Sequence, residues 1–152
     1  MLLMLLACEA GDDTGSDPCA PGGEPTLRIG VGEVTFEEVP DGDVELIHGP
    51  QGGYHVVLAL EATHFDQDEQ LLGVLSGTVG GEELAHTEPF VTLRCNPTAE
   101  AQQVWNLFLI IDEDLGPEDV HGSTMEVLAS LSGASTSAEA EAEILVNYPD
   151  LE

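Results

Sequence analysis

The amino-acid sequence predicts an all-β fold: an antiparallel β-sandwich, immunoglobulin-like in size, with about eight or nine strands. Three observations predict it. Short apolar stretches alternate with polar residues at period two. Clusters of Gly, Pro, Asn and Asp punctuate them at regular intervals. No segment carries a sustained helical pattern. A chain of 152 residues, 42% of them hydrophobic, suits one domain with a real core.

The elements follow in order. Val34 and Phe36 alternate with Glu33, Thr35 and Glu37, which reads as a half-buried strand. Pro40-Asp41-Gly42-Asp43 is a turn, because proline presets φ and glycine permits φ > 0. Val44, Leu46 and His48 then alternate with Glu45 and Ile47, completing an expected hairpin. Tyr54 to Ala62 is apolar on both parities, with Val56, Leu58 and Leu60 on one and Val57 and Ala59 on the other. Leu72 to Val79 is a strand, Gly80-Gly81 a tight turn, and Leu84 lies on the returning strand. Phe90 to Cys95 is the next strand, ended by Asn96-Pro97.

Val104 to Ile111 is the most hydrophobic stretch and reads as central. Parity puts Trp105, Leu107, Leu109 and Ile111 on one face and Phe108 and Ile110 on the other. Met125, Val127, Ala129 and Leu131 mark a further strand. For residues 136–147 two signals compete. Alanine and glutamate favour helix, but Ala138, Ala140, Ala142, Ile144 and Val146 recur at period two, which a helix would scatter. Strand is the expectation.

Charge narrows the partners. Thirty acidic residues face two basic ones, Arg28 and Arg94, for a formal net charge of -28. Nucleic acid and anionic membrane surfaces need clustered positive charge, so neither is an expected partner. Without lysine there is no Walker-type phosphate loop and no Schiff-base chemistry. The acidity itself is compatible with solubility through self-repulsion, salt adaptation or divalent-cation binding.

Residues 1–7 are Met-Leu-Leu-Met-Leu-Leu-Ala, followed by Cys8. Leu5-Leu6-Ala7-Cys8 resembles the lipobox of bacterial lipoproteins. The resemblance implies a signal remnant at 1–7, lipidation of Cys8, and a location in the bacterial cell envelope, outside the cytoplasm and attached to the membrane through the lipid. Residues 8–25 are rich in Gly, Asp and Pro and read as a flexible acidic tether. The sandwich is assigned to 26–152.

With Cys8 assigned to lipid by that resemblance, Cys19 and Cys95 remain, an even count in a disulfide-permissive compartment. A Cys19–Cys95 bridge is expected, contributing roughly 4 kcal/mol by the chain-entropy model. The alternative is two free thiols, with Cys95 a small core residue sharing parity with Val91 and Leu93.

Gly49-Pro50-Gln51-Gly52-Gly53-Tyr54-His55 is the most unusual local sequence. This GPQGGYH element is similar to one in uncharacterised secreted bacterial lipoproteins, over residues 34–62, and the similarity implies no activity. One reading is a loop presenting His48, Gln51, Tyr54 and His55 to a ligand, with the two histidines sharing copper or zinc. The other is a structural connection whose glycines serve backbone geometry. Asp112, Asp114, Glu118 and Asp119 form a second candidate: carboxylates able to supply calcium ligands, though without EF-hand spacing. Its alternative is a solvated loop, or a short helical turn begun by Pro117.

No HExxH, nucleophile elbow or continued GxGxxG pattern occurs. The sequence therefore favours a non-enzymatic binding or structural module that needs no cofactor and contacts an envelope protein or glycan. A calcium- or copper/zinc-binding protein and a hydrolase with scattered residues are the alternatives. The metal reading expects three ligands to converge. The hydrolase reading expects a histidine bonded to both a carboxylate and a hydroxyl.

Overall fold

The computed structural model describes residues 16–151. Its strands are β1 (Thr26–Val31), β2 (Glu37–Glu38), β3 (Asp43–Glu45), β4 (Ile47–His48), β5 (Tyr54–Thr63), β6 (Leu71–Val79), β7 (Glu82–Thr87), β8 (Phe90–Val91), β9 (Arg94–Asn96), β10 (Ala101–Ile110), β11 (Thr124–Ser132) and β12 (Ser137–Asn147). They build two sheets around one core. The first has the order β2-β1-β5-β10-β9, with β4 added to the end of β5. The second has the order β3-β12-β11-β6-β7, with β8 on β6. Every pairing is antiparallel except β3 beside β12.

Alternation places the core. Val56, Leu58 and Leu60 of β5 and Met125, Val127, Ala129 and Leu131 of β11 are buried in the same hydrophobic core. Val57 and Ala59, on the opposite, outward parity of β5, are buried as well. The sheets approach each other along β1 and β12 and again beside β7, where Ile111 bridges Ala85 and the Asp112 amide donates to the Leu84 carbonyl at 2.9 Å.

Residues 136–147 are a strand, and period two prevails over helix propensity because burying the inward residues of β12 outweighs it. The Gly80-Gly81 turn is present, with φ of 60° and 85°, the left-handed pair that a two-residue hairpin turn requires.

Two expectations are corrected. The hairpin between 33–37 and 43–48 does not form. Gly32, at φ 136°, reverses the chain early, so only Glu37–Glu38 pairs, and it pairs with β1. Val34 is left 78% exposed. Asp43–Glu45 runs beside β12 in the other sheet, and Ile47–His48 returns to the first. Second, Phe90 to Cys95 is not one strand. Its start pairs with β6, its end pairs with β10, and buried Leu93 marks the crossing between sheets.

The expected Cys19–Cys95 bridge is present. Cys19 is buried and bonded to Cys95, with Cα atoms 5.6 Å apart. The His64 amide donates to the Pro18 carbonyl at 2.8 Å, and Gln67 Nε2 donates to the Cys19 carbonyl at 2.8 Å. Residues 17–20 thus belong to the body, since buried backbone groups take protein partners.

Candidate functional site

The outer face of the first sheet differs from that of the second. On β12 and β11 the outward residues include Glu139, Glu141, Glu143 and Glu126, with Glu126 directly opposite Glu143 in the ladder, and also Leu128 and Leu145, which are 43% and 40% exposed. Glu126, Glu141 and Glu143, with Glu83 of β7, line a shallow groove of about 760 Å³. Facing carboxylates repel each other and keep water, which makes this surface a solvated one.

The first sheet carries a cross-strand belt. Registers align Arg28 with Glu61, Glu61 with Gln103, and Gln103 with Arg94, across β1, β5, β10 and β9. Arg28 pairs with Glu61 and with Glu38. Gln103 Nε2 donates to Glu61 Oε2 at 2.7 Å, and Asn96 Nδ2 donates to Gln103 Oε1 at 3.1 Å. The Phe36 ring covers this end of β1, over Gly30 and 5.3 Å from the Arg28 guanidinium carbon. Gly30 is required there, because any Cβ would meet that ring and the Glu37 carbonyl.

A β-bulge divides β10. Register slips between Val104 and Leu107, and Asn106 adopts φ 58°, a left-handed conformation asparagine tolerates. The extra residue flips parity. Gln103 and Trp105 face outward before the bulge; Phe108 and Ile110 face outward after it. Trp105 is therefore not on the core face with Leu107, Leu109 and Ile111, which corrects the simple alternation.

Beyond the bulge, an apolar strip faces solvent. Phe108 is 43% and Ile110 48% exposed. Each is paired across the ladder with an outward residue of β5, Phe108 with Val57 and Ile110 with His55. The His55 ring lies 4.5 Å from the Phe108 ring, and the partial burial lowers its pKa below the usual imidazole value.

The residues singled out from sequence are only partly brought together. His48 stacks on Tyr54 at 4.9 Å, and Tyr54 meets Tyr148 edge-to-face at 5.4 Å. Burial, the Asp150 carboxylate and Tyr54 together raise the pKa of the Tyr148 hydroxyl. Gln51 is exposed at the tip of the turn, whose Gly52 and Gly53 both have positive φ. His55 stands on the opposite face of this ribbon from His48. In the ladder His48 is paired with Tyr54, while His55 is paired with Ile47, and neighbouring strand residues point to opposite sides. The two histidines are therefore not brought together on one face.

Two carboxylates of the 112–119 loop, Asp112 and Asp119, are engaged with their own backbone. Asp112 Oδ1 accepts from the Asp114 amide at 3.0 Å, and Asp119 Oδ2 accepts from the Gly116 amide at 2.8 Å. Pro117–Asp119 form a short 3-10 turn, and Glu118 is exposed. Among the described residues, no three His, Cys, Asp or Glu side chains converge to hold a metal ion. Nor, among them, does a histidine hydrogen-bond to both a carboxylate and a hydroxyl: His64 meets the Ala20 carbonyl, His86 meets Glu88, and His121 accepts from the Tyr148 amide. Cys8 and the lipobox lie outside the described residues.

The aromatic and apolar content of this face was half legible. Phe108 and Ile110 were assigned to a face of their own by parity. Arg94 and Trp105 were missed, although a mid-strand asparagine is a bulge signal that would have turned the tryptophan outward. No protein-family model matches the chain, and no curated protein is significantly similar to it.

Proposed function

We propose that the chain is a lipid-anchored protein of the bacterial cell envelope, acylated at Cys8, with a non-catalytic immunoglobulin-like domain. The domain acts as a binding module and engages an envelope protein or glycan through the outer face of its first sheet. The observation that carries the binding role is the solvent-facing Phe108–Ile110 strip, where the two side chains sit together beside His55, while on the other sheet the exposed Leu128 and Leu145 stand among glutamates. A chain of net charge -28 has ample polar material to cover that strip. Keeping apolar side chains in water at paired positions marks an interaction site.

The strand order supports the immunoglobulin-like topology. β1-β5-β10-β9 corresponds to the A-B-E-D sheet, and β12-β11-β6 to G-F-C, with β7 as an added C′ strand. The anchoring rests on the lipobox resemblance and on Cys19, whose bridge is the kind found in oxidising compartments.

The test is site-specific photocrosslinking in intact envelopes, with a photoreactive phenylalanine at position 108 or, as control, at position 128 on the other sheet. The expected result is a discrete adduct from 108 and none from 128. Equal labelling from both positions, or none from 108, overturns the binding role. Mass spectrometry of the N-terminal peptide tests the anchor: a fatty-acylated Cys8 is expected, and an intact Met1 overturns it.

A further inference from the structure

We infer that Arg94, Trp105 and Thr92 form a small binding site for a singly charged acidic sugar, recognised through its carboxylate. The inference rests on reading this sheet face as a binding surface and names the ligand chemistry at the end before the bulge.

Charge is the first observation. Of the two basic residues in the chain, Arg28 is held by Glu38 and Glu61. Arg94 makes no ion pair among the described residues, although thirty carboxylates are present in the sequence. Its neighbour in the ladder, Gln103, has its carboxamide already committed to Glu61 and Asn96. The exposed guanidinium therefore presents donors that nothing beside it accepts, in the planar fork that matches a carboxylate with two parallel hydrogen bonds.

The bulge supplies the second observation. Asn106 spends a left-handed conformation in mid-strand, and the result is that the only tryptophan in the chain leaves the core face and stands beside Arg94. The guanidinium carbon lies 6.0 Å from the Trp105 ring centre. Bulges that re-aim a side chain are concentrated at sites. Stacking on the ring orients the guanidinium without neutralising it, so its edge remains available.

Size and field then choose the ligand. Thr92, Arg94, Gln103, Val104 and Trp105 line a groove of about 200 Å³, smaller than the clefts that take drug-sized molecules, which suits one sugar ring. The apolar part of that ring fits the indole, and its hydroxyls fit the Thr92 hydroxyl and the indole N–H. The surrounding charge of -28 repels polyanions. A single carboxylate meets the local cation at the lowest electrostatic cost, which selects uronic acids over sulfated or phosphorylated polymers.

The experiment is a nuclear magnetic resonance titration of the full chain with sodium glucuronate at constant ionic strength. The Trp105 indole N–H, unique in the sequence, is the reporter. A saturable shift of that signal and of Arg94 Nε–H is expected. It should be absent with glucose or glucuronate methyl ester, and the affinity should fall about tenfold or more in Arg94→Gln. Arg94→Lys, which keeps the charge and loses the fork, should lie between. No saturable shift in the folded protein, an equal response to the ester, or full affinity in Arg94→Gln overturns the site. A Phe108 crosslink without a glucuronate response removes this inference alone. Loss of both removes the reading of the face.

Discussion

The Gln102 side chain pairs with the backbone of Phe65 in both directions: its Oε1 accepts from the Phe65 amide at 2.9 Å and its Nε2 donates to the Phe65 carbonyl at 2.8 Å. Both residues are fully buried. The carboxamide does what a neighbouring strand would do, closing the loop after β5 onto β10 where no backbone reaches. Nε2 also approaches the Cys19 carbonyl at 3.3 Å, so one side chain joins the N-terminal arm, the loop and the strand.

Gln102→Ala should therefore lose more than a typical hydrogen bond. It leaves two backbone groups of Phe65 buried and without partners, costing about 1–3 kcal/mol for each group that water cannot reach. Gln102→Leu should do no better, since it fills the space and still offers no donor or acceptor. Urea denaturation checks this: a lower midpoint with an unchanged slope is expected, and an unchanged midpoint refutes it.

Asn106→Gly should be tolerated, because glycine adopts φ 58° freely. Asn106→Val should cost about 1–2 kcal/mol, the penalty of a left-handed conformation for a side-chain-bearing residue. A variant that escapes the strain by removing the bulge swings Trp105 toward the core face. Tryptophan emission reads this directly, since the chain holds one tryptophan. The valine variant should be destabilised, shift to shorter wavelength, or both. Neither change would contradict the role given to the bulge.

His55 should titrate below 6.5, because burial beside Phe108 disfavours its charged form. The sign for stability follows. A histidine with a depressed folded-state pKa stabilises fully above its unfolded value, and that contribution is lost as pH falls through the folded one. Imidazole proton shifts followed against pH give the pKa. Phe108→Ala opens the site to water and should move it back up; a pKa above 6.5 in the parent would disprove the cause assigned.

Glu143→Gln should stabilise the protein at low salt. Its carboxylate stands opposite that of Glu126 on the outward face of the β11–β12 pair, and like charges directly opposite are unfavourable by about 0.2–1 kcal/mol. The gain should shrink as sodium chloride is raised from about 0.01 M to 1 M and the screening length shortens. Melting temperatures of parent and variant at both salts test it. A gain independent of salt would point away from charge.

Strands with one wet and one dry face were readable from their alternation: β11 runs Met125, Val127, Ala129, Leu131 inward without a break, and β12 repeats the pattern. What alternation misses is any event that costs one residue. Gly32 turns the chain before Val34, and Asn106 inserts a residue before Leu107, so in each case the parity counted downstream is reversed or void. Sheet membership is equally hidden, because the choice of β3 to lie beside β12 depends on residues a hundred positions away. In the candidate site, the same limit applied. Tyr54 and His55 were conspicuous by their glycines, but that His48 and His55 face opposite ways is a property of their pairing, not of their spacing.

The Cys19–Cys95 bridge also settles how the domain bears tension. A pull arriving from the N-terminal side reaches Cys19 before it reaches β1, and the covalent link carries it to Cys95, 76 positions further along. Strands β1 to β8 lie inside that closed loop and feel none of the force along their own backbone. They cannot be peeled from the sheet one rung at a time. A load applied from that side is borne at an interior point of the chain.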